Sequence, residues 1–260
     1  MRAIDRHPLR ERVLAGETLF GLFLDLGSPI AAELASRAGY DWLVIDLEHG
    51  AATESDLLLL LHAVEAGGAA ALVRPQSGER LRIGRALDMG ARGIVVPRLN
   101  SADEAREAVT FLRYPPQGGR GVALRVRGAD LGAISHDRVG EVNRRIIGLI
   151  QIESAGALGE ADAIAAIDGV DVLFVGPADL SHSLGVPGRF NDPVYREALQ
   201  KVLAACRANG KAAGILLYDA SLVPAYLELG FTFVGIGADA AFVADGAARA
   251  LAAVRATAAT

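Results

Sequence analysis

Short apolar segments alternate with longer alanine- and leucine-rich segments, and this alternation limits the possible folds of the chain more than any other feature. Strand and helix signals alternate about eight times along the chain. The strand segments lack a strict polar–apolar alternation, which is typical of parallel strands covered on both faces. The pattern predicts an α/β fold, a single (β/α)8 TIM barrel domain over residues 1–260. The predicted strands are Leu19–Leu24, Asp41–Asp46, Ala70–Arg74, Gly93–Pro97, Ile146–Ile152, Val172–Val175, Ala212–Leu216 and Thr232–Ile236.

Capping residues predict where helices begin and end. Asp192, followed by proline, opens a helix that runs to Asn209 and stops before Gly210. The stretch 114–137 is too long for an ordinary connection and is expected to be an irregular loop, a lid or an interface. A terminal helix rich in alanine and valine is predicted over 238–258.

Composition excludes several classes of protein. A net charge of −5 and an isoelectric point near 5.6 predict that the chain lacks the basic surface with which proteins bind nucleic acid. No apolar stretch approaches the ~20 residues of a membrane helix, and the first residues lack the apolar core of a signal peptide. The single cysteine, Cys206, excludes a disulfide framework and a cysteine-based zinc site. We therefore expect a cytoplasmic protein with neither nucleic-acid nor membrane partners.

Polar residues gather where the predicted strands end, which in such a barrel is the face that carries active sites. Glu153 and Asp179 follow neighbouring strands, and two carboxylates at one rim either repel each other or share a cation. With no histidine or cysteine beside them, that cation is a hard ion such as Mg²⁺ or Mn²⁺. The alternative is that each carboxylate caps a helix or forms half of an ion pair.

Three further rim residues suggest acid–base and anion-binding chemistry. Arg74 can grip a carboxylate or an enolate oxygen, or else form a buried salt bridge with a rim carboxylate. His49 suits a general base, with a helix-capping loop histidine as the alternative. Asp46 either orients a metal-bound water or bonds backbone amides at the end of its strand.

Lysine positions restrict how a carbonyl can be activated. The chain holds two lysines, Lys201 within a predicted helix and Lys211 just before a strand, at the opposite end of the barrel. Neither is placed for Schiff-base chemistry at the rim. Carbonyl activation is therefore expected to come from a metal ion.

The rim segments resemble the HpcH/HpaI aldolase family, the metal-dependent (class II) pyruvate aldolases, including those acting on 4-hydroxy-2-oxoheptanedioate and on 2-dehydro-3-deoxy sugar acids. The segments occur in family order and span most of the chain. They are Asp46–Gly50, Val73–Pro75, Leu87–Pro97, Tyr114–Gly121, Gln151–Ser154 and Gly176–Ser181.

The resemblance implies a role for each matching residue. Glu153 and Asp179 correspond to the metal ligands, with Mg²⁺, Mn²⁺ or Co²⁺ as the ion. His49 corresponds to the base and Asp88 to the aspartate paired with it, while Asp46 corresponds to the acid near the metal-bound water. The implied substrate-binding residues are Arg74, Gln151, Gly176, Pro177 and Ala178.

The implied reaction is the reversible cleavage of a 4-hydroxy-2-oxo acid to pyruvate and an aldehyde, in a homo-oligomer that is a trimer or hexamer. Asp88 precedes a strand and so lies away from the rim, which predicts that a neighbouring subunit brings it to His49. The stretch 122–132 lacks the aromatic residue of the family pattern and is expected to face the acceptor aldehyde.

Three other functions compete with this prediction. A CoA-thioester lyase of the same superfamily would need a basic groove for the nucleotide. A non-catalytic 2-oxo acid binding protein would not release pyruvate. A phosphate-binding barrel isomerase would need a double-glycine anion nest, which the segments 217–220 and 237–240 lack.

Overall fold

The computed structural model describes residues 8–258 and shows a closed barrel of parallel strands paired in chain order. The predicted (β/α)8 fold is confirmed. Strand β4 stops one residue earlier than predicted, because Pro97 has no N–H to donate to the ladder. The strands are β1 Leu19–Leu24, β2 Trp42–Asp46, β3 Ala70–Arg74, β4 Gly93–Val96, β5 Ile147–Ile152, β6 Val172–Val175, β7 Ala212–Leu217 and β8 Phe233–Ala238.

Helices follow the strands and cover the outside of the barrel. They are α1 Leu9–Leu14, α2 Pro29–Arg37, α3 Leu57–Gly67, α4 Arg80–Asp88, α5 Ala102–Thr110, α6 Val139–Arg145, α7 Ala155–Gly159, α8 Ala161–Ala165, α9 Pro177–Ser183, α10 Pro193–Asn209, α11 Val223–Leu229 and α12 Asp239–Ala258. Helix α10 has the predicted ends, because the Asp192 side chain accepts a hydrogen bond from the Val194 amide and Gly210 takes a left-handed conformation.

Aromatic rings fill the inside of the barrel. The Trp42 indole is fully buried and stacks on the Phe233 ring, with ring centroids 4.2 Å apart, while Phe174 meets both rings edge-on. Gly21 makes room for the indole, since a Cβ atom there would lie 2.0 Å from Trp42 Cδ2. The barrel is therefore a packed core, and chemistry is confined to its ends.

The stretch 114–137 contains little regular structure apart from two 3₁₀ turns, Arg127–Gly132 and His136–Arg138. Its beginning is anchored, because the Tyr114 amide donates to Asn143 Oδ1 over 2.7 Å. The turn at 127–132 packs on the end of α4, where Arg127 donates to the Met89 carbonyl. Within one chain this turn lies at the bottom of the barrel and does not face the rim.

Helix α12 projects from the barrel. Asp239 is buried at its start, whereas every residue from Ala247 to Ala258 is exposed. Leu251 and Val254 are large apolar residues in this exposed range, and Val243, one turn before it, is exposed as well. Over residues 8–258, no helix combines the length and the apolar character that crossing a membrane requires.

Candidate active site

Strands β2 and β3 bring Asp46 and Arg74 together at the rim. The two residues are paired in register. Arg74 donates from Nε to Asp46 Oδ1 over 2.9 Å and from Nη2 to Oδ2 over 2.5 Å. Both side chains are almost fully withdrawn from solvent, at 11% and 1% exposure for Arg74 and Asp46. Of the two predictions for Arg74, an anion-binding group or a buried salt bridge, the structure contains the salt bridge. Arg74 Nη1 makes no hydrogen bond among the described residues.

Asp46 also shapes the turn that carries His49. Its Oδ1 atom accepts hydrogen bonds from the backbone amides of Glu48 and His49, over 3.0 and 3.2 Å. Gly50 completes the turn, because a Cβ atom there would lie 2.4 Å from the Asp46 carbonyl oxygen. Asp46 therefore accepts hydrogen bonds from backbone amides, which is one of the two roles that the sequence predicts for it. The same carboxylate forms the ion pair with Arg74.

Glu48 is a functional candidate that the sequence reasoning missed. Its carboxylate lies 3.4 Å from Arg74 Nε and 3.8 Å from His49 Nε2. Burial raises the pKa of Glu48, opposed by the positive charge of Arg74. His49 itself is 58% exposed, so a substrate hydroxyl can approach its ring. The signal in the sequence was the position of Glu48 beside His49, directly after a strand.

Glu153 and Asp179 line one cavity of about 220 Å³ at the ends of β5 and β6. Burial, together with the negative charges of Glu48 and Asp179, raises the pKa of Glu153 to about 7, against the opposing effect of a hydrogen bond from the Arg98 backbone. Ser154, not Glu153, caps helix α7. The cavity is lined by Arg98, Asn100, Glu153, Ser154, Asp179 and Ser183.

Several groups hold the Glu153 carboxylate in place. The backbone amide of Arg98 donates to Oε1 over 2.6 Å, and Gln151 Nε2 donates to Oε2 over 2.7 Å. Arg98 has a φ of +58°, a conformation that costs free energy in a non-glycine residue. Gly176 leaves space, since a Cβ atom there would lie 2.7 Å from Glu153 Oε2. Arg98 is a second residue that the sequence reasoning missed, because it acts through its backbone.

Of the remaining predicted substrate-binding residues, Gln151 and Gly176 lie against this carboxylate. Gln151 is buried and its Oε1 atom has no hydrogen-bond partner among the described residues, while its amide nitrogen holds Glu153. Pro177 and Ala178 form the first turn of α9, directly after Gly176. Both therefore lie at the end of β6, on the same rim of the barrel as Glu153.

The donor set fits a hard divalent ion. Among residues 8–258, no group of three or more histidine, cysteine, aspartate or glutamate side chains is arranged to hold a metal. Mg²⁺ is commonly bound by one or two carboxylates, with water and substrate oxygens completing its shell. Two carboxylates, Glu153 and Asp179, line one cavity, and such a pair matches that mode of binding.

Asp88 lies at the opposite end of the barrel from His49, as its place before β4 predicts. It ends helix α4 and accepts a hydrogen bond from Arg120 Nη2 over 2.7 Å. The Arg120 guanidinium stacks over the Tyr114 ring, 4.3 Å from the ring centroid. Within the described part of a single chain, Asp88 makes no hydrogen bond or ion pair with His49.

Asp25 is a further residue that the sequence reasoning missed, although it directly follows a predicted strand. Its backbone amide donates to Asp239 Oδ1 over 2.7 Å. Burial raises the pKa of its carboxyl group to about 6, and the charges of Asp46 and Asp239 act in the same direction. Asp25 thus adds a carboxyl group to the side of the site formed by Asp46 and Arg74.

Comparison with known proteins identifies the family. The family model described as HpcH/HpaI aldolase/citrate lyase matches residues 19–246. The chain belongs to this family. It is 41% identical over 239 residues to the 2-keto-3-deoxy-L-rhamnonate aldolase of Klebsiella pneumoniae, covering 92% of this chain and 90% of that protein.

Two other family members extend this result. The 4-hydroxy-2-oxo-heptane-1,7-dioate aldolase of Salmonella arizonae is 38% identical, covering 93% of this chain and 92% of that protein. The crystal structure of a family protein from Burkholderia cenocepacia superposes with a TM-score of 0.90 at 39% identity, covering 95% of this chain and 98% of that one. The predictions of family membership and of an aldolase, a carbon–carbon lyase acting on small molecules, are confirmed.

Proposed function

We propose that this protein reversibly cleaves a 4-hydroxy-2-oxo acid into pyruvate and an aldehyde, with a divalent ion held by Glu153 and Asp179. The observation that carries the proposal is the shared cavity of these two carboxylates, beside the buried Arg74 and Glu48. The relatives named as aldolases act on 2-oxo acids that carry a hydroxyl group at C4. They argue against a non-catalytic 2-oxo acid binder.

Arg74 and His49 have separate roles in the proposed reaction, and Glu48 and Asp46 position them. Arg74 uses its free Nη1 to donate to the 2-oxo oxygen, where negative charge develops as the C3–C4 bond breaks. His49 removes the proton from the C4 hydroxyl group, so that C4 leaves as the aldehyde carbonyl. The enolate takes up a proton at C3 and becomes pyruvate. Glu48 and Asp46 hold Arg74 and the His49 turn in position.

Metal dependence is a property of the family. We propose Mg²⁺, Mn²⁺ or Co²⁺ as the ion. The ion would act as an electrophile toward the 2-oxo group and the carboxylate of the substrate. Gln151 and the Arg98 amide keep Glu153 oriented toward the cavity, and the charge of a bound cation would stabilise the ionised form of Glu153.

Metal removal tests the reaction. Treatment with EDTA should abolish pyruvate release from a 4-hydroxy-2-oxo acid, and Mn²⁺ or Mg²⁺ should restore it. Borohydride added with pyruvate should trap no adduct, because no lysine lies at the rim. Pyruvate release that survives complete metal removal, or a trapped imine, would contradict the proposal.

The variant Arg74→Lys tests the oxyanion role separately from the structural one. Arg74→Ala would strip the buried Asp46 of its partner and so lose stability as well as turnover. Lysine keeps a positive charge beside Asp46 but lacks the planar guanidinium group with its paired N–H donors. We expect turnover to fall by roughly 10²-fold, with a much smaller loss of unfolding free energy measured in urea. Unchanged turnover would contradict the role of the Arg74 guanidinium group as the donor to the 2-oxo oxygen.

We also propose that the protein is a homo-oligomer, a trimer or hexamer, located in the cytoplasm. The uncovered apolar side chains of α12 support an oligomer, since large exposed apolar surfaces mark interaction sites. Asp88 supports it as well, because only a neighbouring subunit could present this carboxylate to His49.

A further inference from the structure

A second polar cavity, of about 130 Å³, lies at the end of the barrel opposite Glu153 and Asp179. Arg113 follows α5, Arg144 lies in the last turn of α6 just before β5, and Asp168 precedes β6. These positions lie where the strands begin, so the cavity takes no part in the proposed reaction. Its polar lining residues are Arg10, Arg113, Gln117, Asn143, Arg144 and Asp168.

Arg113 is a buried cation whose terminal nitrogens lack hydrogen bonds. Its side chain is 9% exposed, and neither Nη1 nor Nη2 has a hydrogen-bond partner among the described residues. The Asp171 Oδ2 atom lies 3.8 Å from Nη2, too far for a hydrogen bond. That oxygen already accepts from Arg10 Nε and from the Gly148 amide, each over 3.0 Å. Leaving a buried charged donor without an acceptor is strongly unfavourable.

The other groups around the cavity favour an anion. Arg144 is exposed and makes no ion pair among the described residues, and Asn143 donates to Gln117 Oε1, which leaves the Gln117 amide nitrogen free to donate. Arg10 lines the cavity but is paired with Asp171. Asp168 opposes an anion, yet three arginines outnumber the two nearby carboxylates.

Burial lowers the pKa of Arg113 to about 10, so its guanidinium still carries a positive charge at neutral pH. We propose that this cavity binds a small oxyanion, phosphate or a carboxylate, held by Arg113 and Arg144. Guanidinium groups bind both anions through paired N–H donors. The terminal nitrogens of Arg113 are closed to solvent, so the side chain must turn toward the cavity to reach a bound oxyanion. The anion then supplies the acceptors that Arg113 lacks, without competing with the substrate at the rim.

Titration calorimetry with inorganic phosphate, and separately with acetate, tests the site in the full-length Mg²⁺-loaded protein at constant ionic strength. Arg144→Gln should weaken phosphate affinity roughly tenfold, because a hydrogen bond to a charged group is lost. Arg113→Gln, if it folds, should remove binding at this site. The matched control is Arg85→Gln, which removes an exposed arginine outside the cavity.

Each outcome has a defined meaning. Phosphate binding that Arg144→Gln weakens and Arg85→Gln preserves supports the site, and the acetate titration shows whether carboxylates share it. Equal affinity in the wild type and Arg144→Gln overturns the proposal, as does the absence of binding by both anions. Because the readout is binding and not turnover, failure here leaves the proposed aldolase reaction untouched.

Discussion

At the residue scale, the candidate metal site depends on how tightly the Glu153 carboxylate is placed. Two hydrogen bonds hold its oxygens, one from the Gln151 side chain and one from the Arg98 backbone. The space around it exists because Gly176 has no side chain. A small change beside this carboxylate should therefore disturb metal binding without disturbing the fold.

Substituting Gly176 by alanine should displace Glu153. The new Cβ atom would lie 2.7 Å from Glu153 Oε2 and 3.3 Å from Gln151 Nε2, so the carboxylate must move. We expect a loss of Mn²⁺ affinity of roughly 10–100-fold, as for other supporting residues of metal sites. Isothermal titration calorimetry measures it.

Gly159→Ala is the control for this prediction, because a Cβ atom at Gly159 meets nothing within 4 Å. Its Mn²⁺ affinity should equal that of the wild type. Unchanged affinity in Gly176→Ala would show that Glu153 is not a metal ligand.

The raised pKa of Glu153 predicts how pH acts on the metal-free protein. Glu153 ionises at about 7 in the folded protein and near 4.5 in its ordinary state. The folded state therefore binds more protons between these values, and the free energy of unfolding should fall as pH rises through this window. Thermal unfolding in EDTA measures this change, which is of the order of a few kcal/mol.

Glu153→Gln should flatten this pH dependence without removing it, because Asp25, with a pKa of about 6, acts in the same direction. Excess Mn²⁺ should restore stability above about pH 7, where Glu153 is ionised and free to bind. A wild-type protein whose metal-free stability rises over this window would contradict the assignment.

At the scale of elements, strand β1 fits into the barrel because it carries glycine at the point facing Trp42. The indole of Trp42 on β2 lies against Gly21 on β1 and stacks on Phe233 from β8. These three residues therefore pack together across β8, β1 and β2, which are neighbouring strands where the barrel closes. The strand itself was predictable from its apolar sequence, whereas its need for glycine depends on a ring contributed by another strand.

Gly21→Ala should therefore overpack the barrel. The added Cβ atom would lie 2.0 Å from Trp42 Cδ2, and such insertions cost roughly 1–3 kcal/mol, or more where backbone must shift. Gly84→Ala, within α4 and with open space around it, should instead stabilise by about 0.5–1 kcal/mol. Urea unfolding of both variants measures the two signs, and equal effects would refute the packing account.

At the scale of the whole molecule, helix α12 exposes apolar side chains that the barrel does not cover. Val243, Leu251 and Val254 are 59%, 51% and 65% exposed, and their spacing of eight and three residues puts them on one face. A second copy of the chain is the partner that the proposed oligomer supplies.

The double substitution Leu251→Lys with Val254→Lys should reduce the assembly to smaller species, because two charges would enter the apolar contact. Light scattering coupled to size-exclusion chromatography measures the mass. The control is Ala252→Lys with Ala256→Lys on the opposite face of the helix, which should leave the mass unchanged. An unaltered mass in the first variant would exclude this face as an interface.

Complementation between variants tests the proposed sharing of Asp88. Asp88→Asn and His49→Ala should each lower turnover roughly 10²-fold. When the two variants are mixed and reassembled, some sites combine an intact His49 with a neighbour's intact Asp88, and turnover should recover in part. Mixed oligomers without recovery, or a fully active monomer, would contradict a contribution across subunits.

The amino-acid sequence by itself determined the barrel and the strand ends that carry Asp46, Arg74, Glu153 and Asp179. It could do so because apolar periodicity marks strands and helices locally, and parallel strands bring their carboxyl ends to one rim. Only the tertiary structure decided which groups pair there. The Asp46–Arg74 ion pair, the burial of Glu48 and the Arg98 amide on Glu153 arise from contacts between segments distant in the chain. Burial and backbone direction at such contacts leave no local pattern in the sequence.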